Sequence, residues 1–326
     1  MRVDDAMTIC SVSFYGGNFI RLNELLVRNL NPDAHFRWIV AENTPKGTPG
    51  RLEPNGESML VIEGVGSGHL PMYHHTLALA KCIERADTRF IAVIDPDLYV
   101  IRRSWISDIL SHMVERELAL IGVPWHPYSR GKYRYFPAVH FSVFDLKRFN
   151  RCDIDFRPDF PNGANDPEWP QGWSPNKTHY FARSRWARRL ASLPFLAQRR
   201  QYYTDTGSRL YKHWVDAPYF HYDILTPVWN PADTWIKSSL VGSVLERILP
   251  DELCYHPKHY PHHTGDDFLA PLSGGKAPAR WERFTWRGEP FCFHLRRNIK
   301  RNARNIEQEL SCIEQIVRSC VNRQDS

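Results

Sequence analysis

The sequence predicts an α/β protein with a mostly parallel central sheet flanked by helices, an irregular second half and a C-terminal amphipathic helix. Three observations lead there. Short β-rich runs alternate with helix-period runs through the first third. The acidic step Asp95-Pro96-Asp97 closes an apolar run, and residues 299–320 carry apolar positions at alternating four- and three-residue steps.

The first strand is read in MTICSVSF (7–14), punctuated by Gly16-Gly17. FIRLNELLVRNL (19–30) follows with apolar residues at helical spacing. HFRWIVAEN (35–43) reads as a second strand closed by TPKGTPG, and SMLVIEGV (58–65) as a third. YHHTLALAKCIERA (73–86) reads as a helix and RFIAVID (89–95) as a fourth strand. Such units imply right-handed crossovers, with ligands meeting the carboxyl ends of the strands. ALIGVPWHP and AVHFSVFDLKRF suggest two further strands, the second leading into a helix. Helices are expected over 184–200 and 205–215, and a late strand in EPFCFHLR (289–296). The implied division is a regular strand–helix half (1–120), an irregular half (121–298) and a terminal helix (299–326).

With 326 residues, 42% apolar and 24% charged, the chain is an ordinary globular one with room for a substantial core. Its net charge of +6 favours anionic partners without choosing among them. The seven cysteines form no CxxC pair and read as apolar fillers in a reduced compartment. No run approaches the length of a membrane span, and the N-terminus lacks a signal-peptide core. The expected location is the cytoplasm, with peripheral contact at the inner membrane face left open.

Two carboxylates at a strand tip have two readings. Asp-Pro-Asp is ordinary turn chemistry. Alternatively, carboxylates two residues apart share a hard cation, whose shell phosphate oxygens and water complete. A double acid at the ligand edge of a sheet repels itself unless a cation binds, which favours the second reading.

VIDPD after a buried strand resembles the DxD element of GT-A-fold glycosyltransferases, nucleotide-sugar-dependent enzymes of the family 2-like kind with a Rossmann-type sheet. TICSVSFYGGNFIRLNELLVRNL is similar to that fold's first strand and helix, and WIVAENTP to its second strand. GVGSGHLPMYHHTLALAKCIERADTRFIAVIDPD and VPWHPYSRGKYRYFPAVHFSVFDLKRF extend the likeness to about residue 150. The resemblance implies a nucleoside-diphosphate sugar donor, a Mn2+ or Mg2+ cofactor and an acceptor hydroxyl on a cell-surface or exported glycan. It places Ser11, Ser13, Glu42, Asn43, Gly66, Asp95 and Arg296 at the donor, and Asp95, Asp97 and His294 at the metal. Asp205 is the candidate general base, although its surroundings equally suit a helix N-cap; Asp216 and Asp223 are fallbacks. Thr204 stands where many relatives carry a second acid.

Other clusters compete. Arginines interleaved with aromatics over 183–203 suit a solvated helix face or an anionic acceptor, whether phosphoglycan or DNA. His256, His259, His262 and His263 have partial zinc spacing, but the intervening prolines favour an acceptor-side loop. The glycines at 64, 66 and 68 lack the GK[ST] of a phosphate loop and fail the dinucleotide fingerprint. A glycosyltransferase acting on a hydroxylated DNA base and a nucleotidyltransferase are the rival enzyme readings. A non-catalytic nucleic-acid binder is a third. The terminal apolar stripe is expected to pack on the body or to form a homodimer through 299–320.

Overall fold

A computed structural model describes residues 7–54, 59–65, 71–127, 133–158, 206–216, 220–229, 267–295 and 303–322. The calls on Gly66, Asp205, Arg296, the 183–203 arginines and the 256–263 histidines lie outside them. Strands β1 (Met7–Ser13), β2 (Phe36–Glu42), β3 (Met59–Glu63) and β4 (Phe90–Ile94) alternate with helices α1 (Gly17–Leu30) and α2 (Pro71–Glu84). Then come β5 (Leu98–Val100), α3 (Trp105–Glu115), β6 (Leu120–Pro124) and β7 (Pro137–Asp145). The remaining elements are α4 (Ser208–Asp216), β8 (Tyr222–Ile224), β9 (Thr226–Val228), α5 (Ala270–Ser273), β10 (Glu282–Trp286), β11 (Glu289–His294) and α6 (Ala303–Asn322).

Seven strands form the central sheet in the order β3-β2-β1-β4-β7-β6-β8. All neighbours pair in parallel except β7, which runs antiparallel between β4 and β6. The sheet is therefore mostly parallel and flanked by helices, as expected. Both faces are covered, which explains the unbroken apolar runs in its middle strands. Met7, Ile9, Trp38, Val40 and Phe90 join one core with α3, whereas Cys10, Val12, Ile39, Ala41 and Ile91 join the other with α2. This alternation is the two-residue period of the strand. Each fully buried Ile or Val of β4 contributes about 1.5–3 kcal/mol relative to exposure.

Neither α3, β8 and β9 nor a second sheet was expected from the sequence. That sheet is antiparallel, in the order β5-β11-β10-β9. Its β5 begins one residue after Asp97, so the chain leaves the central sheet at Ile94 and enters the second one at Leu98. The helix expected after β7 is instead a single 3-10 turn, Arg151–Asp153, capped by the Asn150 side chain.

α6 packs on α1 and α5. Its Ile313, Ile316 and Val317 are buried in a cluster with Phe19, Leu26 and Leu30 of α1. From Ile306 to Cys320 the apolar stripe packs on the chain's own body. Five of the six described cysteines are buried, which suits apolar filling. Among the described residues, no helix is long and apolar enough to cross a membrane.

Candidate functional site

The carboxyl ends of β1, β2, β3, β4 and β6 reach one edge of the central sheet, where antiparallel β7 begins. Asp95-Pro96-Asp97 is the corner at that edge. The backbone N–H of Asp95 donates to the His140 carbonyl on β7 (2.9 Å), and the Leu98 N–H closes a turn on the Asp95 carbonyl (3.0 Å). The Asp97 carbonyl accepts from Leu295 N–H at 2.9 Å, just past β11. The turn reading of this tripeptide is thus correct, and the turn ties two sheets together.

Both carboxylates face inward, their side chains only 14% and 12% exposed. Asp95 Oδ2 bonds His140 Nδ1 at 2.6 Å, and Asp95 Oδ1 lies 3.6 Å from His75 Nε2. Asp97 Oδ1 lies 3.5 Å from His294 Nε2, whose other ring nitrogen bonds Glu282 Oε2 at 2.8 Å. The imidazoles of His140 and His294 stack with centroids 4.2 Å apart, and the Trp125 ring meets His140 edge-on at 4.4 Å. One ligand atom each from Asp95, His140 and His294 lie within 4.8 Å of one another, a spacing that suits a single cation.

Electrostatics follow from this packing. Burial pushes the Asp95 carboxyl up, but the bond and charge of His140, with His75, outweigh it and hold the group below its ordinary range; Asp97 opposes them. Burial and the neighbouring His294 depress His140 despite Asp95. Burial also works against the charged form of His294, yet Asp97 and Glu282 raise it to about 10. Glu282 would rise on burial, and the His294 bond brings it down to about 2. The cluster balances its own charges, with carboxylates and imidazoles interleaved.

The neighbouring strand ends are built differently. Glu42 is buried and accepts the Thr44 and Leu52 N–H groups with its two oxygens, at 2.6 Å each. Asn43 Oδ1 accepts Val65 N–H at 2.7 Å, and its amide donates to the His74 carbonyl at 3.0 Å. A Cβ on Gly64 would fall 1.8 Å from that Oδ1, so only glycine admits this close approach. Arg51 binds the Thr44 carbonyl and Glu63. Ser11 Oγ donates to the Ile94 carbonyl at 2.7 Å and accepts from Trp38 Nε1, pinning β1 to β4. Ser13 Oγ is buried without a hydrogen-bond partner among the described residues.

Just beyond β1, Phe14 and Tyr15 stand 52% and 47% exposed, with rings edge-to-face at 4.6 Å. Tyr15 has a left-handed backbone (φ 54°), and its N–H donates to Thr44 Oγ1 at 2.7 Å. Sequence reading overlooked both rings, together with His75, His140 and Glu282. Their signals were slight: one histidine within AVHFSVF, and one acid within the aromatic run WERFTW. Asp223 pairs beside Ile121 at the beginning of β6, away from the Asp95 edge, and holds His112 Nε2 at 3.0 Å. Asp216 ends α4.

No protein-family model matches the chain, and no curated protein matches it. Among solved structures, 46% of the chain is similar to S. aureus TarS residues 1–349 in complex with UDP-GlcNAc, at 13% identity, 48% of that chain and TM-score 0.33. An equal share is similar to the mannosyltransferase PcManGT from Pyrobaculum calidifontis in complex with GDP-Man and Mn2+, at 10% identity, 47% of that chain and TM-score 0.34. LgtC, a galactosyltransferase solved with donor and acceptor sugar analogues, matches 46% at 15% identity, 62% of that chain and TM-score 0.28. The chain thus spans about half the length of the first two and under two thirds of the third.

Proposed function

We propose that the protein is a cation-dependent glycosyltransferase that moves a sugar from a nucleoside-diphosphate donor to an acceptor hydroxyl. One observation carries this reading: at the ligand edge of a parallel sheet, one atom each of Asp95, His140 and His294 meet on a single-ion spacing, with the inward-facing Asp97 carboxylate 3.5 Å from His294 Nε2. The donor set is mixed nitrogen and oxygen, which suits Mn2+ better than Mg2+, whose strict octahedral shell is mostly oxygen and water. Asp95, Asp97, His140 and His294 would hold the ion. Once bound, it neutralises charge growing on the departing diphosphate.

The protein's own groups do the rest. The exposed Phe14 and Tyr15 rings, beside the buried Glu42–Asn43 network, offer stacking surface to the nucleoside base. Pro96 fixes the corner, so the two carboxylates meet the ion without reorganising. Asp205 is proposed as the base that takes the acceptor proton. The acceptor is proposed to be a cell-surface or exported glycan, and the arginines of 183–203 suit an anionic one.

The test is slow hydrolysis of a panel of nucleotide sugars with Mn2+, read as nucleoside diphosphate release. We expect release from at least one donor, lost on adding chelator and in Asp97→Asn. Pyrophosphate release from nucleoside triphosphates in place of donor hydrolysis would make the protein a nucleotidyltransferase. Donor hydrolysis undiminished in Asp97→Asn would end the cation reading.

A further inference from the structure

We infer that Glu282 is a positioning residue of the cation site, holding the Nδ1 proton of His294 so that Nε2 is presented toward Asp97. The inference rests on the cation reading above and adds a residue that touches neither ion nor donor. It starts from an oddity of β10. A carboxylate that is 1% exposed sits in a strand whose other residues are also buried, where a lone charge costs several kcal/mol unless paired.

The register explains what the charge faces. β10 and β11 pair antiparallel with Glu282 directly opposite His294, so both side chains project from the same face of the sheet. Glu282 Oε2 lies 2.8 Å from His294 Nδ1. A carboxylate only accepts, so the proton of this bond belongs to Nδ1. The ring cannot easily turn away, because it stacks on His140 at 4.2 Å, and His140 is itself tied to Asp95 at 2.6 Å. The remaining nitrogen points at Asp97 Oδ1, 3.5 Å away. A carboxylate–imidazole pair with its other nitrogen aimed into a cluster of ligand atoms is the arrangement by which an outer carboxylate orients a metal-binding histidine.

The experiment measures Mn2+ binding to the full chain at one fixed pH, from the electron paramagnetic resonance signal of free Mn2+. Glu282→Ala is expected to weaken binding about 10–100-fold, and Glu282→Gln to weaken it less, because its amide oxygen accepts the same bond. In a His294→Ala background, Glu282→Ala is expected to cost nothing further. Nitrogen coupling in the pulsed spectrum should be present in the parent protein, absent in His294→Ala and diminished in Glu282→Ala. The inference is overturned if Glu282→Ala binds Mn2+ within twofold of the parent. It also falls if the loss persists in full without His294, since that is a through-space charge effect. Should Glu282→Ala not fold, Glu282→Gln with and without His294→Ala carries the same comparison. Failure of the parent to bind Mn2+ overturns the cation reading itself, whereas strong binding indifferent to Glu282 overturns only the positioning role.

Discussion

Two stretches of one sheet edge use polar side chains in opposite ways. At the ends of β2 and β3, Glu42 and Asn43 bond chiefly to backbone N–H and carbonyl groups of the adjoining loops and of α2, with the His74 ring beside the Asn43 amide. At the end of β4, Asp95 and Asp97 face imidazoles instead, and those imidazoles face further carboxylates. Backbone partners cannot move or change charge, so the first region is a fixed platform whose exposed surface is aromatic. Side-chain partners can exchange a neighbour for an ion, so the second region is the one built to respond. Burial is similar in both; the identity of the partner separates scaffold from chemistry.

The difference can be broken most severely at Asp97. Asp97→Asn should lower cation-dependent donor hydrolysis by at least about 100-fold. Glu42→Ala should act on folding stability and leave the cation site intact. Leaving two buried N–H groups unpaired costs about 2–4 kcal/mol of folding stability, read by urea denaturation, with Mn2+ affinity unaltered. A smaller effect sharpens the view of the platform. Tyr15→Ala should raise the donor KM by about tenfold, the loss of one stacking partner, without moving kcat or stability. Smallest of all, Arg28→Ala removes an exposed i,i+4 pair with Glu24 on α1 and should cost under about 1 kcal/mol, with neither binding nor turnover affected. If Glu42→Ala abolished Mn2+ binding as Asp97→Asn is expected to, the two regions would be one site.

The central sheet was legible because β1 to β4 announce themselves twice, by apolar runs and by the helices between them. Met7–Ser13 and Phe90–Ile94 are buried at every position, and such runs admit little other than a covered parallel strand. The second sheet was not legible, for a physical reason. β5 and β9 have three residues each, too few to display a period, and β10 mixes Glu282 and Arg283 with buried aromatics. Arg283 is neutralised there by Asp267, a partnership between residues sixteen apart that no local pattern announces. At the site, the strand-tip aspartates could be found from order along the chain, and His294 only through the family resemblance. His140 could not, because an isolated histidine in an apolar strand looks the same whether it is a core residue or faces an aspartate. Glu42 shows the complementary difficulty: its position at the strand end was correct, but which groups its oxygens accept depends on a loop ten residues later.

The corner at Asp95–Asp97 also bears on the order in which the molecule assembles. Among the described residues, β5 pairs only with β11, near the far end of the chain. During synthesis, β1 to β4 can pair as they emerge, but the strand after the corner must wait for the final hairpin. Until that hairpin arrives, Tyr99 has no Phe293 to stack on and Asp97 has no imidazole beside it. Nascent chains therefore pass through an interval in which the first sheet can form while the ion-holding cluster is still unfinished, which separates the onset of folding from the onset of competence.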